Sequence, residues 1–329
     1  MRILILGAGG MIGRKLAAAL AQDGLGGQPV DEMVLADIVA PAPVALAGGG
    51  PVNCLAVDLG ADGTAEALVA AKPDVIFHLA AIVSFEAEQN LEKGYRINLD
   101  GSRALCDAIR DQHATDPAYC PRFVFASSLA VFGPPFPDPV PDSWTPTPAT
   151  SYGTQKLMIE ALVNDFSRRG ILDGISLRLP TICVRPGAPN AAASGFFSGI
   201  IREPLTGQEA DLPVPRTVRH WFASPRAAVG FMCHAAALDT GQLGPQRALN
   251  LPGLSCSVGE QIDALERVAG AAVVARIKER PNPDIARIVD GWPAAYAPER
   301  ALALGFRAEI SFDEIIEIFI ADELDGQIA

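Results

Sequence analysis

Apolar positions follow two rhythms along this chain. Short unbroken apolar runs occur at Ile3–Leu6, Met33–Ala36, Cys54–Val57, Val75–Phe77, Phe123–Ala126 and Ile175–Leu179. Their length and their Gly, Pro or Asp boundaries predict buried strands. Between them, Met11–Gln22, Thr64–Ala71, Leu91–His113 and Ser151–Arg169 carry apolar residues at helical spacing. Alternating strands and helices predict a doubly wound parallel sheet of the Rossmann type, with both faces covered. Beyond about Pro186 the rhythm loosens and Pro and Gly become frequent. There Gly195–Arg202, Arg226–Ala237, Val258–Ala269 and Phe312–Ala321 read as helices, and Arg219–Ala223 and Ala248–Leu251 as short strands. The expected plan is a sheet domain over residues 1–185 and a smaller α/β lobe over 186–329, with room for late segments to return to the sheet. Gly48–Gly50 reads as a surface loop, and the tail after Ala321 as disordered.

Composition narrows the classes. Of 329 residues, 49% are hydrophobic, enough for a full core. The formal net charge of −12 argues against nucleic acid and anionic membranes as partners. It leaves room for a small anionic substrate, because a few arginines reverse the field inside a cleft. The six cysteines are scattered without a CxxC pair, and Cys233 beside His234 is no metal-ligand set, so reduced thiols and no metal are expected. Ile3–Leu6 is too short for the apolar core of a signal peptide, and no run reaches membrane-spanning length. A cytoplasmic location is expected.

The first strand runs straight into Gly7-Ala-Gly-Gly10-Met-Ile-Gly13. Glycines at GxxGxxG spacing between a strand and a helix suit a dinucleotide. Gly7 permits the tight turn, Gly10 lets backbone approach the pyrophosphate, and Gly13 lets the helix lie close to the sheet. The helix start, with Met11 and Ile12, turns free N–H groups and a positive dipole end to the phosphates. Asp37 ends the second strand, where a carboxylate accepts from ribose hydroxyls and repels a 2′-phosphate. No basic residue follows it, which predicts NAD over NADP. Asp58 and Leu59, after the third strand, are placed to meet the adenine, although an Asp there also suits a turn cap.

Tyr152-Gly-Thr-Gln-Lys156 opens a helix, so Tyr152 and Lys156 share one face. Lowering a tyrosine pKa by about 3 units takes about 4 kcal/mol, within reach of a lysine ammonium and a cofactor's positive charge. Ser127-Ser128 ends a buried parallel strand, the place where open α/β sheets bind ligands.

Taken together, the glycines of the first turn, His78-Leu-Ala-Ala81, Asn98, Phe125-Ala-Ser-Ser128, Val131-Phe-Gly133 and Tyr152 with Lys156 resemble the extended short-chain dehydrogenase/reductase family, which includes NAD-dependent epimerases and dehydratases. The match spans essentially the whole chain. It implies Tyr152 as the base in oxidation, Ser128 as the group holding the reacting oxygen, and Lys156 on the nicotinamide ribose. It further implies Leu79, Ala80 and Ala81 along the pyrophosphate and ribose path, with Asn98 and Pro180 completing the cofactor's surroundings. Ser127 and His78 are expected to be structural. Family members dimerise through two long helices, here Leu91–His113 and Ser151–Arg169, so a homodimer is expected.

Two segments depart from the nucleotide-sugar members. Arg178-Leu-Pro-Thr181 stands where an Arg-Tyr-Phe-Asn segment is usual, and Arg219-His-Trp-Phe222 lacks the usual acidic companions. A longer series of segments, among them Phe132–Asp142, Val184–Gly187 and Leu249–Gly253, is similar to the branch that acts on bacterial four-carbon sugar acids. That likeness implies oxidation of a C2 hydroxyl to a 2-oxo acid with NAD. An arginine fork suits the carboxylate of such a substrate. Arg219 is the first candidate for it and Arg185 the second, with Ser84, Thr181, Asn190, Ser194 and Trp221 as pocket candidates. The rival readings are an epimerase or dehydratase that returns the hydride to its substrate, and a non-catalytic NAD-sensing protein.

Overall fold

Seven parallel strands lie side by side in the computed structural model, which describes residues 1–187 and 193–329. They are β1 (Arg2–Leu6), β2 (Glu32–Asp37), β3 (Val52–Ala56), β4 (Val75–His78), β5 (Arg122–Ser128), β6 (Asp173–Leu179) and β7 (Ala248–Asn250). Their order is β7-β6-β5-β4-β1-β2-β3. The order reverses between β1 and β4, and such a switch point opens a crevice at the strands' carboxyl ends. Ile3, Leu4, Ile5 and Leu6 are all withdrawn from water, as an unbroken apolar run in a two-sided sheet requires.

The helices of this unit bury one stripe each. In α1 (Met11–Asp23) Gly13, Leu16, Ala17, Leu20 and Ala21 face inward, an i, i+3, i+4 pattern. Next come α2 (Thr64–Val69), α3 (Ser84–Gln89), α4 (Leu91–Gly94), α5 (Gly101–Thr115) and α6 (Ser151–Arg168). Leu105 and Ile109 of α5 and Ile159 and Val163 of α6 join Phe123 and Phe125 of β5 in one core.

The long helix expected over Leu91–His113 is broken into three. Between α4 and α5, Tyr95–Asp100 winds as a π-helix. Hydrophobic spacing could not reveal this, because the wider turn is set by tertiary bonds of Asn98 and Arg96.

Contacts divide the chain into two interleaved units: Met1–Phe132, Pro146–Leu179 and Val229–Asn250 form the first, and Gly133–Thr145, Pro180–Ala228 and Leu251–Ala329 the second. Ala248–Asn250 pairs with β6 as an edge strand of the sheet. The second unit has a three-stranded sheet of Thr181–Ile182, Arg219–Ala223 and Leu254–Ser257, and pairs Val140–Pro141 with Tyr296–Ala297. Its core joins Phe197, Ile200, Phe222, Leu265, Ile316 and their neighbours. The tail departs from expectation. The last helix continues to Glu323, and the Ala329 N–H donates to the Leu205 carbonyl at 3.0 Å while Arg276 donates to the Ala329 carbonyl. No described helix is long and apolar enough to cross a membrane.

Candidate active site

The glycine turn after β1 is built by contact. Gly7 adopts φ +85°, and a Cβ there would lie 2.7 Å from the Ala80 nitrogen, so this turn and the Leu79–Ala80 backbone approach each other directly. At Gly13 a Cβ would fall 2.1 Å from the Gly7 carbonyl oxygen, which is why α1 starts so close to the strand. Beside Gly10 the only close atom is that same oxygen, at 3.3 Å. Gly10 is exposed, no side chain caps α1, and its first turn holds no acid. Free N–H groups and an open backbone fit a pyrophosphate, so these residues suit a dinucleotide. Asp37 accepts from the Gly9 N–H at 2.9 Å and from Ile38, so one carboxylate both fixes the turn and stands at the end of β2.

Asp58 is differently employed. It accepts from Gly60 and pairs with Arg96 at 2.9 Å, and these partners hold its carboxyl below the usual range. The turn-cap alternative is therefore the geometry found, and the Leu59 side chain lies in the core. Asn98 is buried; its Nδ2 donates to the Ile82 carbonyl and to Gln155, and its Oδ1 accepts from the Ile82 N–H. With both donors taken, Asn98 ties the segment after β4 to α6 rather than offering a cofactor a hand. Ser84 starts α3 and is exposed. His78 is fully buried, with Nε2 2.7 Å from the Ser102 hydroxyl, and burial pushes its pKa down to about 3.

The chemical groups meet where β5 ends and α6 begins. Thr150 caps α6 by accepting from the Gly153 N–H. A Cβ on Gly153 would lie 2.0 Å from the Ala130 carbonyl oxygen, so glycine lets the start of α6 reach the turn after Ser128. That approach sets Tyr152 beside Ser128. Burial raises Tyr152 to about 12, and the Ser128 hydrogen bond acts against the rise. Lys156 is 3% exposed and donates to the Ala126 carbonyl at 2.8 Å. Its Nζ lies 5.6 Å from the Tyr152 ring centre and 4.7 Å from that of Phe125. Burial lowers its pKa to about 7, with Glu160 acting in the opposite sense.

Two residues of this cluster escaped the sequence reading. Glu160 accepts from Ser127 at 2.5 Å and is gripped by Arg178 Nε and Nη2 at 3.0 and 2.7 Å. Arg178 also donates to Asn250 and lies over the Phe132 ring. A lone arginine inside an apolar strand, and a glutamate four residues after Lys156, were the available signals.

In the second unit the candidates separate. Arg219 is exposed; it pairs with Glu260 at 2.9 Å and donates to the Ser255 carbonyl. Glu260 is the third helical residue of Val258–Ala269 and closes a capping box with Ser257. The guanidinium expected to hold a carboxylate therefore already has one. Arg185 is the reverse. It is partly buried, donates to the Ser194 hydroxyl at 3.1 Å, and has no carboxylate partner among the described residues. Desolvation lowers its pKa, and neighbouring Arg202 adds to that. The Thr181 hydroxyl lies 2.7 Å from Nε2 of His220, whose Nδ1 faces the Pro293 carbonyl. Burial lowers His220 to about 4. Trp221 is buried, donates to the Leu251 carbonyl and packs near Tyr296. Pro180 is buried, and Asn190 lies outside the described residues.

Comparison with known proteins adds to this geometry. The model of the NAD dependent epimerase/dehydratase family matches residues 3–225. A D-erythronate dehydrogenase of Cupriavidus necator is 45% identical over 98% of both chains. Another from Haemophilus influenzae is 40% identical over 97% of this chain and 99% of its own. The crystal structure of a nucleoside-diphosphate-sugar epimerase from Agrobacterium tumefaciens superposes with a TM-score of 0.97 at 57% identity, covering 100% of this chain and 96% of that one.

Proposed function

Because the chain belongs to the NAD-dependent epimerase/dehydratase family, we propose that it is a dehydrogenase that oxidises the C2 hydroxyl of D-erythronate to the 2-oxo acid. The observation that carries this reading is near-full-length identity to two D-erythronate dehydrogenases. The intact Ser128, Tyr152 and Lys156 set supports it.

Bound NAD supplies the acceptor for the hydride that leaves C2. Tyr152, as phenolate, takes the C2 hydroxyl proton while Ser128 holds that oxygen. The ammonium of Lys156 favours the phenolate and binds the ribose. This is the help Tyr152 needs, since burial alone holds its proton on. The substrate carboxylate goes to Arg185, whose guanidinium has no acid partner among the described residues, in preference to Arg219. NAD is preferred over NADP because the Asp37 carboxylate at the end of β2 repels a 2′-phosphate. The enzyme works in the cytoplasm as a homodimer joined through α5 and α6, acting on small sugar acids.

The second reading, a nucleoside-diphosphate-sugar epimerase, is favoured by the name of the Agrobacterium relative. Against it stands Thr181, in the place of the usual asparagine and already bonded to His220. A panel of four- to six-carbon sugar acids with NAD, followed at the reduced-nicotinamide absorbance, tests the proposal. Strong NADH formation with D-erythronate is expected. Epimerisation of a UDP-sugar without net NADH, and no turnover of any acid, would overturn it.

A further inference from the structure

The mechanism above uses Lys156 as a cation, yet this lysine is buried and its one hydrogen bond among the described residues goes to a neutral carbonyl. A buried ammonium in such a place sheds its proton readily. Something nearby must oppose that loss if the residue is to serve at neutral pH.

Groups of four elements surround it. On α6 there are Tyr152 before it and Glu160 after it. From β4 comes His78, which is uncharged and offers no stabilisation. From β5 come the Ala126 carbonyl and the Phe125 ring. On β6 Arg178 is turned to Glu160. Glu160 is thus the one anion among these groups. It lies one helical turn beyond Lys156 on the same face, and both side chains are buried.

Its placement is fixed from two strands. Ala126 and Ser127 are consecutive on β5; the Ala126 carbonyl accepts from Lys156 and the Ser127 hydroxyl donates to Glu160. Arg178 on β6 holds both Glu160 oxygens, at 3.0 and 3.1 Å from Nε and 2.7 Å from Nη2. A carboxylate so held is fixed in place from both strands. Ser128 is the next residue along β5, so the clamp stands beside the serine of the proton-transfer set.

We propose that Glu160 is a positioning residue that keeps Lys156 charged, with Arg178 and Ser127 as the clamp that fixes its carboxylate. The inference rests on the reading of Lys156 as a working cation. Burial already brings the lysine to about 7, so loss of the opposing carboxylate moves its titration below neutrality.

The test is the pH profile of kcat/KM for D-erythronate with NAD, measured on the full chain. The paired variant Glu160→Met with Arg178→Met removes the two charges together and conserves volume, which spares the fold an orphan buried ion. Its falling limb, where Lys156 loses its proton, is expected at least about one pH unit lower than in the parent, roughly tenfold in proton affinity. Glu160→Gln moves the limb the same way, and Glu160→Asp, which keeps the charge, brings it back toward the parent position. A limb's position does not depend on how much enzyme is folded, so a low-yield variant still reports it. Limbs at the parental pH in both neutral variants overturn the inference, whatever happens to Tm. Lys156→Met separates the two claims. If it retains the rate, the reading of Lys156 itself fails; if it abolishes turnover while the Glu160 limbs stay put, only the role of Glu160 fails.

Discussion

Arg178 and Arg185 stand seven residues apart in the sequence; the first is buried and the second partly buried. In the sheet unit, Arg178 is locked to Glu160 by a forked contact. In the second unit, the Arg185 guanidinium donates to the Ser194 hydroxyl and has no carboxylate partner among the described residues, while exposed Arg219 on a nearby strand of the same unit pairs with Glu260. A buried cation that already owns an anion is committed to architecture. One without an anion carries a desolvation cost that an incoming carboxylate relieves. The contrast separates an arginine engaged with an anion from one that is not, and the roles proposed for these residues can be attacked experimentally.

The largest effect is expected at the chemical end. Tyr152→Phe should lower kcat by roughly a thousandfold and leave NAD binding intact, as shown by nucleotide titration. Survival of more than a few per cent of the rate would remove Tyr152 from its role. Arg185→Met should lower kcat/KM for D-erythronate by about 10–100-fold, mainly through KM, the signature of a lost ground-state contact. An effect confined to kcat would mean that Arg185 does not grip the carboxylate.

Acid should weaken both units, through different histidines. His78 is held to about 3 and His220 to about 4, both well below the unfolded value near 6.5. The unfolded chain then binds the extra protons, so stability present above about pH 6.5 is lost as pH falls toward 4. At pH 5 each histidine costs about 2 kcal/mol. Urea unfolding at pH 7.5 and pH 5 should show the loss, and His220→Gln should make it smaller by about that amount. An equal loss in the variant would mean that other groups dominate acid unfolding. The smallest effect is assigned to Arg219→Ala, less than about twofold in kcat/KM, since an exposed ion pair contributes little. A KM increase matching that of Arg185→Met would reverse the assignment of the two arginines.

Much of the sheet unit was legible because its signals are local. Four-residue apolar runs, a glycine turn at residue 7 and a tyrosine–lysine pair on one helix face each carry their meaning within a few positions. The Arg178–Glu160 lock was not legible, since its members come from a strand and a helix and meet only through the fold. In the second unit Arg219 was the first candidate, and its ion-pair partner Glu260 lies 41 residues later. Even there the pattern Ser257-Val-Gly-Glu260 marks a helix start, and it fixes where that glutamate will stand. Strands of two or three residues, such as Thr181–Ile182 and Val140–Pro141, are too short to leave any period in the sequence.

The π-wound stretch Tyr95–Asp100 sets a phase as well as a bond. A π turn holds roughly one residue more than an α turn, and each residue of an α-helix advances the chain by about 100° about its axis. Deleting one residue here would let α4 and α5 run on as a single regular helix. The same deletion would rotate Asn98 away from Ile82 and Gln155, and so unhook the segment after β4 from the helix that bears Tyr152. The spacing between the segment after β4 and the helix that bears Tyr152 is thereby encoded as an angle.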